Sequence, residues 1–145
     1  MIPLRDDNPS TIQPVVTIAF VIMCVLVFLW QFSLGSVRGQ QIVYALGVIP
    51  AVLLGMRELP PELVLLPPAM TTLTSMFMHG GWMHLIGNML YLWIFGDNVE
   101  DSMGHVRFVV FYVLCGLAAV FAQALPEPGS TIPMVGASGA ISGVL

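Results

Sequence analysis

The feature that most constrains this chain is an uncharged stretch of about 20 residues, Val15 to Leu34. With a rise of about 1.5 Å per residue, a helix of that length crosses a bilayer's hydrocarbon core, which is about 30 Å thick. Charged residues make up only 8% of the chain, against roughly 25% in an average soluble domain. The stretch therefore predicts a transmembrane helix, and without a small-residue cleavage site after it the helix should remain as an anchor.

Further apolar stretches follow, and they predict a multi-pass, all-α membrane protein forming one domain. Gly80-Gly81 should break the stretch that begins at Leu73, which leaves a second helix too short to cross unless its ends are recessed. The last stretch reaches Leu145 before a helix could cross, so we expect a truncated polypeptide. The predicted segments are an N-terminal tail (1–13), a first span (15–34), a long loop with interfacial helices (35–72), a second span (82–95), a third span (106–125), a loop (126–135) and the start of a fourth span (136–145).

Charge and residue spacing exclude several classes of function. The net charge is −4 and the chain has no lysine, so a nucleic-acid partner has no basic surface to bind. His79 and His84 lie about 140° apart around a helix, and no cysteine or carboxylate shares that face, so no metal site is predicted. No cofactor is predicted either. The expected partners are the lipid bilayer and the transmembrane segments of other proteins.

Successive transmembrane helices run in opposite directions, and this should bring polar residues of different helices to the same membrane face. The second and fourth helices must begin on the same membrane face, so His84 and Asn88 should lie at the same depth as Ser138. This conclusion survives if residues 40–56 form an additional span. His105 follows the second helix and should lie on the opposite face, where it cannot serve Ser138 as a base. Polar groups at membrane depth indicate a functional site.

Ser138 has the surroundings of a nucleophile in peptide hydrolysis. At the start of a helix, its backbone N–H and that of Gly139 lack partners within the helix and can stabilise negative charge. His84 and Asn88, one turn apart, could add side-chain donors for an oxyanion. The alternative is purely structural, because Ser138 lies in a row of glycine and alanine, and Gly139-x-x-x-Gly143 is a spacing typical of close helix packing.

Three motifs together carry a resemblance to a known family. They are Gly136-Ala-Ser138-Gly139, His79-Gly-Gly-Trp-Met-His84-Leu-Ile-Gly-Asn88 and Gly96-Asp-Asn-Val-Glu100-Asp-Ser-Met-Gly104. From about Leu73 onward the chain closely resembles the rhomboid family of intramembrane serine proteases. The long loop lacks the Trp-Arg pair often seen in that family, and Arg57 is the nearest substitute.

The resemblance implies a six-helix core in which the serine pairs with a histidine of the sixth helix. It implies that His84 and Asn88 line the oxyanion site and that His79 flanks it. Glu100 should tie its loop to backbone amides, with Gly96 and Gly104 in turns. The histidine base lies beyond this chain, so these 145 residues are expected to be inactive alone.

Two functions remain open from the sequence. The first is an intramembrane serine endopeptidase that cleaves transmembrane segments, with Ser138 as nucleophile. The second is a non-catalytic rhomboid-like protein that binds transmembrane helices without cutting them. Retention of both Ser138 and Asn88 favours the first.

Overall fold

The computed structural model describes residues 11–145, so most of the predicted N-terminal tail lies outside the described residues. Helices dominate the described part of the chain, which contains no β-strand and a single isolated bridge between Val48 and Met134. The α-helices are α1 (Val15–Ser33), α2 (Gly35–Leu46), α3 (Pro50–Leu53), α4 (Pro68–Thr74), α5 (Trp82–Met103), α6 (His105–Ala124) and α7 (Ser138–Val144). Short 3-10 turns occupy Pro61–Leu63 and Ser75–Phe77.

Two of these helices, α1 and α6, are long and apolar enough to cross a membrane. Both leave large apolar side chains uncovered by protein, such as Leu26 on α1 and Leu114 on α6. An uncovered apolar surface of this kind is stable when lipid covers it. The fold is therefore that of a helical membrane protein, as the hydropathy of the sequence predicts.

Helix α5 is longer than the sequence suggested. The predicted span 82–95 would be too short to cross comfortably, but α5 continues to Met103 and contains 22 residues. At about 1.5 Å per residue this helix measures roughly 33 Å, enough to span a bilayer. The acidic residues near its end do not stop it, because the carboxylate of Glu100 is buried against the start of α1 and has hydrogen-bond donors there.

The two glycines that were expected in turns behave differently. Gly96 lies inside α5, where a Cβ atom would come within 2.9 Å of Thr17 Cγ2. Its role is to let α1 approach α5 closely, so the turn prediction for Gly96 is wrong. Gly104 does end α5, with a φ of 80° that L-residues with side chains rarely adopt. The chain reverses there into α6.

The core lies where α1, α5, α6 and α7 meet. Phe20 of α1 packs on Tyr112 of α6 with ring centroids 4.5 Å apart, and Leu92 of α5 is fully buried beside them. Helix α7 lies against α6 through its small residues, since a Cβ atom at Gly139 would come within 2.6 Å of Ala119 Cβ. Small-residue packing thus holds the helix that begins with Ser138.

Candidate active site

Ser138 is the first residue of α7, and its side chain is exposed. The loop that leads to it turns at Gly136, whose φ is 126°. The Gly136 N–H donates a hydrogen bond of 2.8 Å to the carbonyl oxygen of Ser75. The position of Ser138 is therefore fixed on one side by α6 and on the other by the turn that follows α4.

The first two turns of α5 bring His84 and Asn88 to the same loop. A Cβ atom at Gly136 would lie 2.7 Å from His84 Nε2 and 3.6 Å from Asn88 Nδ2. The glycine is needed at this position because both its φ and its close approach to the imidazole exclude a side chain. The structure thus places these two polar side chains against the backbone two residues before Ser138.

Asn88 carries an unused hydrogen-bond donor at this point. Its side chain is 9% exposed, and within residues 11–145 its buried Nδ2 atom has no hydrogen-bond partner. A buried donor of this kind costs free energy unless something accepts its hydrogen bond. The amide is therefore available to an oxygen atom that arrives beside Gly136.

The orientation of His84 is set from the loop before α5. The Gly80 N–H donates to His84 Nδ1 across 3.4 Å, so the neutral imidazole carries its proton on Nε2. That nitrogen is the one that faces Gly136. His84 therefore presents a donor in the same direction as Asn88.

His79 lies beside this pair and has no exposed surface. Its ring packs edge-on against His84 with centroids 5.2 Å apart, and its backbone carbonyl accepts a hydrogen bond from Gln31 Nε2 of α1. Neither ring nitrogen has a hydrogen-bond partner among the described residues. Burial of the ring, together with the adjacent His84, lowers the pKa of His79 to about 4.

This low pKa predicts that the stability of the fold decreases in acid. A histidine in the unfolded chain has a pKa near 6.5, so as the pH falls below about 6.5 the unfolded state binds more protons than the folded state. The stability present above that pH should fall by up to about 1.4 kcal/mol per pH unit until the pH nears 4. We expect His79→Phe to flatten the pH dependence of the melting temperature between pH 7 and pH 5.

The matched control is Trp82→Phe, which replaces an exposed ring at the start of α5 and removes no ionisable group. Its melting temperature should change with pH as that of the parent does. If His79→Phe and the parent lose the same stability between pH 7 and pH 5, His79 is not the acid-sensitive group.

The first loop supports the loop that carries Ser138. Val48 and Met134 exchange backbone hydrogen bonds of 3.0 and 2.7 Å, and the Ala51 N–H donates to the Ser130 carbonyl at 3.0 Å. Thr74 Oγ1 also donates to the Leu46 carbonyl at 2.6 Å, which joins the end of α4 to the end of α2. The long loop after α1 is thus a structural part of the site.

A small cavity of about 50 Å³ lies beside Ser138. Ser75, Gln123 and Ser138 supply polar groups to its lining, and the rest comes from α6, from α7, from Met76 and from residues 134–136. Because it exceeds the roughly 10–15 Å³ that one water molecule needs, the cavity can hold water beside the hydroxyl.

Glu100 lies near the other end of α5, and His105 is the first residue of α6. The Glu100 carboxylate accepts hydrogen bonds from the backbone N–H groups of Val16 and Thr17, both at 2.8 Å, and from Thr17 Oγ1 at 2.7 Å. His105 Nδ1 lies 2.6 Å from Glu100 Oε1. Glu100 therefore satisfies the first turn of α1, and His105 belongs to that cluster and not to the site of Ser138.

Some residues of the site were not identified from the sequence. Ser75 and Gly80 act through backbone groups, which leave no pattern in side-chain chemistry. Gln31 had a signal, since it is a polar residue near the end of an otherwise apolar span. The sequence contains no signal for the pairing of residues 48 and 134, because this pairing joins two loops that are far apart in the chain.

The fold and the site define a class of protein: a helical membrane protein with an exposed serine at a helix start, beside a histidine and an asparagine. Residues 68–145 match the Rhomboid domain, which is more than half of the chain. The chain belongs to the rhomboid family.

Curated relatives include proteins with and without named activity. The chain is 40% identical over 73 residues to Rhomboid protease GluP of Bacillus subtilis, a match that covers 50% of the chain and 14% of that protein. It is 34% identical over 73 residues to RHOMBOID-like protein 5 of Arabidopsis thaliana, covering 50% of the chain and 24% of the relative. It is also 34% identical over 73 residues to Inactive rhomboid protein 1 of Drosophila melanogaster, covering 50% and 5%. The matches span about a quarter or less of these relatives' lengths.

Proposed function

We propose that the protein is a multi-pass intramembrane serine endopeptidase that cleaves transmembrane segments of other membrane proteins. The observation that carries the proposal is the convergence of His84 and Asn88 on Gly136, two residues before Ser138. The unpartnered Nδ2 of Asn88 supports it, because a packing role alone would leave no reason for a buried free donor. Similarity to a rhomboid protease supports the reaction class.

In the proposed reaction, Ser138 Oγ attacks the carbonyl carbon of the scissile peptide bond. Its proton passes to the histidine base that the family resemblance places on a later helix. The negative charge that develops on the carbonyl oxygen is stabilised by the backbone N–H groups of Ser138 and Gly139, with Asn88 Nδ2 and His84 Nε2. The amine leaves with a proton, and water then hydrolyses the acyl ester and restores the serine.

A second candidate is a non-catalytic relative that binds transmembrane helices. The similarity to Inactive rhomboid protein 1 favours it.

An alkyl fluorophosphonate, which forms a covalent bond with activated serines, distinguishes the endopeptidase from the non-catalytic protein. We expect the intact protein in detergent to be labelled, and peptide mass spectrometry to locate the label on Ser138. An unlabelled protein that still binds transmembrane peptides would support the non-catalytic alternative.

Asn88→Ala should slow cleavage of a transmembrane substrate by about 100-fold or somewhat more, the usual effect of losing one oxyanion donor. The loss should appear in kcat, because the donor acts on charge that develops only in the transition state. The measurement is steady-state cleavage of a fluorogenic transmembrane peptide in detergent.

Asn98→Ala, at the other end of the same helix, is the control for general effects on α5. It should retain a kcat near that of the parent. Equal kcat values for Asn88→Ala and the parent would remove Asn88 from the mechanism.

A further inference from the structure

A cavity of about 690 Å³ lies in the first loop. Its walls come from α3, from part of the segment between α3 and α4, and from the start of α4, and they are mostly apolar, including Ile49, Val52 and Leu53. A volume of this size lies within the range of about 300–1,000 Å³ that is typical of sites for small molecules. The proposed cleavage reaction uses none of these residues.

Two adjacent side chains of opposite charge, Arg57 and Glu58, also line this cavity. Both residues are exposed, and neither side chain has a hydrogen-bond or ion-pair partner within residues 11–145. An arginine fork without a carboxylate partner is suited to a phosphate group. The neighbouring carboxylate is suited to an ammonium group. Together the two side chains suit a lipid headgroup that carries both a phosphate and an ammonium group.

Large apolar side chains are exposed around the cavity. Met56, Val64 and Leu65 are 61%, 53% and 56% exposed, although all three are large and apolar. The loop follows the end of α1, a helix suited to crossing the membrane, so it lies near one membrane surface. Apolar side chains and an arginine at that depth are the arrangement that binds both acyl chains and headgroups.

We propose that this cavity binds one phosphatidylethanolamine molecule. Its phosphate contacts Arg57, its ammonium contacts Glu58, and one acyl chain enters the apolar space beside Val52. The site is separate from Ser138, and its occupation does not depend on catalysis. The headgroup makes the cavity prefer phosphatidylethanolamine over other lipids. Phosphatidylcholine has no N–H donor for Glu58, and phosphatidylglycerol has no cation.

The test is lipid retention by the intact protein in detergent, measured by native mass spectrometry during titration with the three lipids bearing the same acyl chains. We expect one phosphatidylethanolamine to be retained about tenfold more tightly than the other two. Arg57→Gln should weaken its retention about tenfold or more, since it removes hydrogen bonds to a charged group. Glu58→Gln should abolish the preference among headgroups.

Matched controls lie on the same loop outside this cavity. Arg38→Gln and Glu62→Gln remove the same charges from a neighbouring cavity, and both should retain lipid as the parent does. Val52→Phe, which fills the apolar space, should also lose the lipid, and thermal unfolding verifies that each variant is folded.

Equal retention of all three lipids, or equal retention by Arg57→Gln and Arg38→Gln, would overturn the proposal. Retention of an apolar peptide in place of lipid, independent of Arg57, would instead make the cavity a peptide groove.

Discussion

Ser138→Ala should reduce cleavage of a transmembrane substrate to the detection limit, on the order of a 10⁶-fold loss if the serine acts as other protease nucleophiles do. The fold should be retained, because the exposed side chain loses a hydroxyl and no buried volume. The hydroxyl contributes no hydrogen bond to the rest of the described chain. The measurements are steady-state cleavage and thermal unfolding on the same purified protein.

The matched control is Ser142→Ala, one turn further along α7. Ser142 Oγ donates a 2.7 Å hydrogen bond to the Ser138 carbonyl and lies on the same short helix. This variant should keep its cleavage rate within a few fold of the parent and should still react with the fluorophosphonate. Cleavage by Ser138→Ala near the parent rate would show that another group is the nucleophile.

Glu100→Ala should destabilise the protein by about 3–5 kcal/mol, the usual cost of breaking a buried charged cluster by removing one partner. Its carboxylate is fully buried and accepts hydrogen bonds from two backbone N–H groups and one hydroxyl of α1. Alanine would leave these donors unsatisfied at the start of a helix, where no backbone carbonyl can replace them. The measurement is the midpoint of thermal or denaturant unfolding in detergent.

Asp97→Ala provides the comparison, because Asp97 is an acid on the same helix whose carboxylate accepts a hydrogen bond from the neighbouring Asn98 N–H and none from α1 within the described residues. It should cost well under half as much stability. Glu100→Gln should fall between the two, since it keeps one carbonyl oxygen and loses the charge. If Glu100→Ala and Asp97→Ala unfold at the same midpoint, the contact between α5 and α1 does not determine stability.

Hydropathy predicted the bounds of the two helices that are long and apolar enough to cross a membrane. The ends of α1 and α6 fall within one residue of the predicted spans, because an uncharged stretch flanked by polar residues has only one favourable depth. The same argument failed for α5. Its acidic end was interpreted as a loop, and only the donors on α1 explain why Glu100 is stable inside a helix.

The placement of His84 and Asn88 near the serine loop followed from the direction of successive spans, which requires no knowledge of side-chain contacts. What could not be predicted is how the site is held. The hydrogen bond from Gly136 to Ser75 and the bridge from Val48 to Met134 join backbone groups, and any residue type can make such bonds. Among these positions only 136 requires a particular residue type. It must be glycine, because its φ and its contact with His84 exclude a side chain.

The bridge between Val48 and Met134 also determines when the site can form. Contacts between distant parts of a chain assemble late, since the intervening segment must first be brought together. During synthesis the first loop emerges long before Met134, and it has no partner for this pairing until α5 and α6 have been inserted. The serine loop would therefore reach its final geometry only after the helices between are in place, so Ser138 should not lie beside His84 and Asn88 until synthesis has passed α6.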